Sequence, residues 1–153
     1  MKVDVIIPAY NSSDYIRYAL DSCLSQSYCD FKITVVDDNS SDNLESIVKD
    51  YSGINYIKNE KNMGPAYSRN IGILKTESPL ISFLDSDDIW HKDKLLNSVA
   101  EFKKDASLGM TCGNYQVLEL DGVLKNPFYR RSIVIDHSAL MRVNYVASGS
   151  TTV

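Results

Sequence analysis

No apolar run in this 153-residue chain approaches the roughly 20 residues that a membrane-spanning helix needs. Nor is positive charge in excess. Sixteen Lys and Arg stand against twenty Asp and Glu, for a formal charge of −4, so no general basic field draws in nucleic acid or an anionic surface. The three cysteines, Cys23, Cys29 and Cys112, are odd in number and lack the spacing of a zinc site; they read as reduced thiols of a cytoplasmic protein. Cys23 falls on an apolar helix face and reads as core. Met1-Lys2 leads straight into a strand pattern, so no signal peptide is expected. There is no repeat, no low-complexity tract, no linker and no G-x-x-x-x-G-K-[ST] phosphate loop. What remains is ordinary for a soluble globular protein, 44% hydrophobic and 24% charged. That is enough for one domain over residues 1–153, burying roughly 70% of its unfolded surface.

Hydrophobic periodicity switches regularly between the strand and helix repeats. Val3-Asp4-Val5-Ile6-Ile7 reads as a buried strand stopped by Pro8. Ser12 or Ser13 then caps a helix whose inner face is Ile16, Leu20, Cys23 and Leu24. Residues 31–36 form a second strand, and Leu44, Ile47, Val48 and Tyr51 line a second helix. Residues 54–57 form a third strand, and Pro65 suits the first turn of a third helix. Leu80-Ile81-Ser82-Phe83-Leu84 is a fourth strand. A fourth helix over 92–104 turns Leu95, Leu96, Val99 and Phe102 inward. Strand and helix alternating four times predict an α/β domain, a Rossmann-like, mostly parallel sheet with helices on both faces. Beyond Gly109 the pattern changes to a hairpin about Asp121-Gly122, a short helix over 136–142, and a strand beginning near Ser148.

The fourth strand ends abruptly in Asp85-Ser86-Asp87-Asp88. Apolar burial does not explain three acids at a strand end. Acids at the C-terminal edge of an open α/β sheet lie where such folds bind ligands. Asp85 and Asp87, with small Ser86 between them, can present oxygens to one hard cation, Mg²⁺ or Mn²⁺. The competing reading is a solvated turn capping the next helix. Two further polar clusters, Pro8-Ala9-Tyr10-Asn11 and Asp37-Asp38-Asn39-Ser40, end earlier strands and fall on the same edge, which describes a cleft.

Taken in order, Val5-Ile6-Ile7-Pro8-Ala9-Tyr10-Asn11, Val35-Val36-Asp37-Asp38-Asn39-Ser40-Ser41-Asp42, Asn62-Met63-Gly64-Pro65-Ala66-Tyr67-Ser68-Arg69-Asn70-Ile71-Gly72 and Phe83-Leu84-Asp85-Ser86-Asp87-Asp88-Ile89-Trp90 resemble the family-two glycosyltransferases of the GT-A fold. The resemblance covers residues 3–103; residues 104–153 match loosely. It implies inverting transfer of a sugar from a nucleotide diphosphate, by family habit a UDP-sugar, to a hydroxyl of a glycan or glycolipid, as in polysaccharide biosynthesis. It also implies roles. Tyr10 packs on the nucleobase over Pro8 and Ala9, with Asn11 in the same loop. Asp38 accepts from the base, while Asp37, Asn39 and Ser40 make a turn and Asp42 a cap. Arg69 faces the nucleotide, or pairs with Asp85 as a helix charge. Asp87 ligates the metal, Asp85 touches ribose or supports the metal, and Asp88 tops the next helix or meets the sugar.

The resemblance also implies a general base in an acidic motif well after Asp87. Asp105, Glu119, Asp121 and Asp136 lie in no matching context. The expectation is a chain that ends before its base, carrying the donor half of the site; the alternative is a nucleotide-sugar-binding module without turnover. Trp90 either walls the acceptor pocket or packs beneath the acidic loop, and His91 is a solvated loop residue. Arg130-Arg131 reads as a solvated face. The expected location is cytoplasmic, with peripheral membrane association of a longer protein.

Overall fold

The computed structural model describes residues 1–118, 124–128, 135, 136, 138 and 149–153. Four strands, β1 (Val3–Ala9), β2 (Phe31–Asp37), β3 (Ile54–Lys58) and β4 (Leu80–Phe83), make one sheet in the order β3-β2-β1-β4. Every pairing in it is parallel. Helices α1 (Ile16–Leu24), α2 (Leu44–Lys49), α3 (Pro65–Leu74) and α4 (Lys94–Lys104) alternate with the strands. A separate antiparallel pair, β5 (Tyr115–Leu118) and β6 (Leu124–Phe128), follows.

Side-chain parity along β1 separates the two layers. Val3, Val5, Ile7 and Ala9 join Ile16, Leu20 and Cys23 of α1, Leu44 and Val48 of α2, and Leu95 and Val99 of α4 in one core. Burial there pushes the Cys23 thiol up to about 12, so it is inert packing. Ile6 points to the other face, where α3 lies so close that a Cβ on Gly72 would come within 2.5 Å of Ile6 Cγ2. Glycine at 72 is therefore what lets α3 seat on the sheet. With helices on both faces, β1 is buried along its whole length, as parallel strands are.

The structure departs from the sequence reading at several points. Pro8 does not stop β1, which runs to Ala9. The Ile6 carbonyl accepts Leu84 N–H on the β4 side, and the Ala9 carbonyl accepts Asp38 N–H on the β2 side. Backbone groups alternate sides along a parallel strand, so Pro8 faces β4 beyond their last pair, Ile6–Phe83. Its missing N–H falls where the two strands have already parted. Helix α1 starts at Ile16 rather than beside a serine cap: the Ser12 carbonyl accepts the N–H groups of Tyr15 and Ile16, and no side chain caps the helix. Leu24 and Leu96 are exposed, not inward. Asp42 does support α2, accepting Leu44 N–H at 3.2 Å, and also holds Ser13 N–H at 2.9 Å. Residues 149–151 form a 3₁₀ turn, and Thr152 then bridges to Cys112, where a strand was expected. The Asp121-Gly122 turn, Glu119, Arg130-Arg131 and most of the expected 136–142 helix lie outside the described residues. No described helix is long and apolar enough to cross a membrane.

Candidate nucleotide site

The strand order reverses between β1 and β4, and loops leaving those two neighbours must diverge. The gap is a cleft of about 510 Å³ lined by Pro8, Ala9, Tyr10, Asp38, Asn62, Gly64, Pro65, Ser68, Arg69, Asp85, Ser86 and Asp87. That volume suits a nucleotide-sized ligand. Eight of the nine positions picked out from the sequence meet here. The ninth, Asn11, lies outside the lining. Its side-chain oxygen accepts Ser41 N–H at 2.9 Å and its own N–H goes to Ser40 Oγ at 3.0 Å, so it ties the loop after β1 to the loop after β2. Asn11 takes φ of 47° and Asn39 of 64°, the left-handed region that Asn tolerates better than most residues.

Asp37 and Asp38 are adjacent but differently employed. Asp37 is fully buried, and takes the Tyr56 hydroxyl, the Ser40 N–H and hydroxyl, and Lys58 Nζ at 3.5 Å. Asp38, 3% exposed, accepts Asn59 Nδ2 at 2.8 Å, Met63 N–H at 3.0 Å and Gly64 N–H at 2.6 Å. Burial pushes the Asp38 carboxyl up, but hydrogen bonds from Met63, Asn59, Gly64 and Ser68 outweigh it and hold the group below its usual value. These contacts fold residues 59–64 over the cleft and fix the start of α3. Gly64 is required there by its φ of 87°.

A consequence for stability follows. A carboxyl held down in the fold contributes stability above its unfolded value, roughly pH 4, and loses it as pH falls below that. Asp38→Asn sets an amide against donors and should cost about 1–2 kcal/mol at pH 7. Urea midpoints of both proteins should converge toward pH 3; a gap constant from pH 7 to 3 would contradict this role.

Arg69 Nη2 pairs with Asp85 Oδ1, each side chain 27% exposed, and the guanidinium lies 5.9 Å from the Phe83 ring centre. Arg69 Nε is buried and has no hydrogen-bond partner among the described residues. Asp88 N–H closes the acidic turn onto the Asp85 carbonyl at 3.0 Å. Burial pushes the Asp88 carboxyl up, the Ser150 hydroxyl draws it down, and the charges of Asp85 and Asp87 push it up again. Trp90 packs in the core beneath this loop and does not line the cleft; its Nε1–H donates to the Ser150 carbonyl at 2.7 Å. His91 is 76% exposed.

The donor set fits a hard divalent cation. Asp85 and Asp87 both face the cleft, and Asp87 has no partner among the described residues. No described group of three His, Cys, Asp or Glu is placed to hold a metal alone, so phosphate oxygens and water would complete the coordination, the usual manner for Mg²⁺. Sequence reasoning did not assign Asn62, Gly64, Pro65 and Ser68 to the site. The available signal was their place at the N-terminus of a helix that follows a strand of this sheet.

A parallel α/β domain with an acid-bearing cleft at its topological switch point is a ligand-binding architecture. A model of glycosyl transferase family 2 matches residues 4–146, and the chain belongs to that family. The Escherichia coli UDP-Glc:alpha-D-GlcNAc-diphosphoundecaprenol beta-1,3-glucosyltransferase WfgD is 33% identical over 124 residues, which are 80% of this chain and 49% of that protein. Staphylococcus aureus TarS 1-349 in complex with UDP-GlcNAc is 34% identical, with a TM-score of 0.66 over 69% of this chain and 32% of that one. The mannosyltransferase PcManGT from Pyrobaculum calidifontis, in complex with GDP-Man and Mn²⁺, is 25% identical, with a TM-score of 0.69 over 74% of this chain and 36% of that one. The chain spans about half the length, or less, of the curated relatives it matches.

Proposed function

We propose that this chain is the donor-binding part of an inverting, metal-assisted glycosyltransferase that takes a UDP-sugar and delivers its sugar to a hydroxyl of a glycan or glycolipid. The observation that carries the reading is the cleft, which Tyr10, Asp38, Arg69, Asp85 and Asp87 line together. Tyr10, half exposed over Pro8 and Ala9, offers a stacking face to the base. Asp38 holds the 59–64 loop and keeps little acceptor capacity for the base beyond that. Arg69, whose guanidinium lines the cleft, is assigned to the diphosphate. Asp87, with support from Asp85, would hold a divalent metal, which acts as a Lewis acid on the leaving diphosphate.

Two of the backbone groups at the start of α3 are unavailable to a phosphate, which supports giving part of that work to arginine and metal. Pro65 has no N–H and the Gly64 N–H is taken by Asp38. Of the three acids lining the cleft, Asp38 and Asp85 are engaged by protein donors and Asp87 is assigned to the metal. We therefore assign the general base to a carboxylate outside the described residues. WfgD's lipid-linked acceptor is the model for the acceptor class, and we assign the reaction to the cytoplasmic face of a membrane, where a soluble nucleotide sugar meets such a lipid.

Isothermal titration with UDP and GDP, in Mn²⁺ and in EDTA, tests the proposal. We expect binding that requires Mn²⁺ and favours UDP, the nucleotide in WfgD's name and in the TarS complex. A folded chain that binds neither nucleotide in either condition would overturn it.

A further inference from the structure

Residues 149–153 return to the outer edge of β4 and fasten there. Ser82 Oγ donates to the Thr152 carbonyl at 2.7 Å, Lys94 Nζ to the Thr151 carbonyl at 3.2 Å, and Thr111 and Val153 exchange backbone hydrogen bonds. Ser150, 6% exposed, sits at the centre of this return. Its Oγ accepts the Asp85 N–H at 2.8 Å, and its carbonyl accepts Trp90 Nε1–H at 2.7 Å. Ser150 thus touches the first residue of the acidic loop through its hydroxyl and the indole at the loop's end through its carbonyl. It is absent from the cleft lining.

We propose that Ser150 is a positioning residue for the acidic loop, fixing the backbone from which Asp85 and Asp87 project so that their oxygens converge on one cation. The inference rests on the donor-site reading above. A metal site needs its ligands held by surrounding contacts, and loss of an outer hydrogen bond of that kind costs roughly 10–100-fold in metal affinity. The loop keeps a second anchor, Trp90 N–H to Ser22 Oγ at 3.1 Å, so removing the Ser150 hydroxyl loosens the loop without releasing it.

The test compares the full chain with Ser150→Ala and Ser150→Thr. Two readouts are taken, amide hydrogen exchange across residues 82–92 and UDP titration in Mn²⁺ and in EDTA. In Ser150→Ala we expect faster exchange at the Asp85 amide while α1 keeps its protection. The Mn²⁺-dependent affinity should fall about tenfold with affinity in EDTA unchanged, and Ser150→Thr should restore both. Wild-type exchange at Asp85 in Ser150→Ala would overturn the inference, as would an affinity loss equal in Mn²⁺ and EDTA. If the unaltered chain binds no UDP, the donor-site reading fails, and the Asp85 amide then decides separately whether Ser150 holds the loop.

Discussion

Asp87→Ala should abolish the Mn²⁺-dependent part of UDP affinity, weakening binding at least ~100-fold, or about 2.7 kcal/mol, while leaving the thermal midpoint nearly unchanged. The two halves of this expectation have one cause. Three carboxylates line the cleft, and two are committed to the protein: Asp38 to Asn59, Met63 and Gly64, and Asp85 to Arg69. Asp87 alone of the three has no partner among the described residues. An exposed, unpaired group contributes little to folding, so its truncation stays within roughly 0.5 kcal/mol of neutral. The same freedom leaves its oxygens available to a hard cation. Asp85→Ala should behave differently. It releases Arg69 as well as removing an oxygen, so metal-dependent binding falls while metal-free attraction for the diphosphate rises. Titrations of both variants in Mn²⁺ and EDTA separate the cases. Asp87→Ala that keeps the wild-type response to Mn²⁺ would remove this residue from the metal site.

How far this site was legible in the sequence depended on whether a residue's work was local. The alternation of strand and helix was plain, because each β-segment is a short, nearly continuous apolar run and each helix carries an apolar stripe. The acids at 85–88 were plain because nothing apolar accounts for charge at the end of a buried strand. Pro8 was misread as a strand stop because its tolerance depends on β4 having parted from β1, a fact about a strand more than seventy positions later. The start of α1 was misplaced because Ser12 serves through its backbone carbonyl, which every residue has, and not through its hydroxyl. Asn11 sits in a site motif yet spends its side chain on Ser41. The contacts of Ser150 gave no signal, since its partners Asp85 and Trp90 lie 65 and 60 positions away in the chain. Long-range hydrogen bonds leave no periodicity behind them.

Asp37 is the sharpest case of that limit, and its replacement carries the largest expected loss of stability. Beside Asp38 it reads as one of two turn acids. In the fold it has no exposed surface, and the groups around it come from three places: Tyr56 and Lys58 on β3, Ser40 in the loop after β2, and, through Ser40 Oγ, the Asn11 N–H after β1. Burial comes first among the causes that hold the Tyr56 phenol up, with Asp37 next, so the Tyr56 hydroxyl stays a donor at any working pH. Asp37→Ala strands these donors. Each buried donor left without an acceptor costs about 1–3 kcal/mol, and unpairing a buried charge alone costs about 3–5. Lys58 is partly exposed and finds water, so the losses centre on Tyr56 and Ser40. A total near 4 kcal/mol is expected in urea unfolding, a large share of the roughly 5–15 that holds such domains together. Asp37→Asn should cost less, since its one carbonyl oxygen still serves one of the two sides. Because Asn11 hangs from Ser40, the loop carrying Tyr10 should loosen in both variants, with UDP affinity falling even where the protein remains folded. Equal stability of Asp37→Ala and wild type would mean that this buried carboxylate organises nothing.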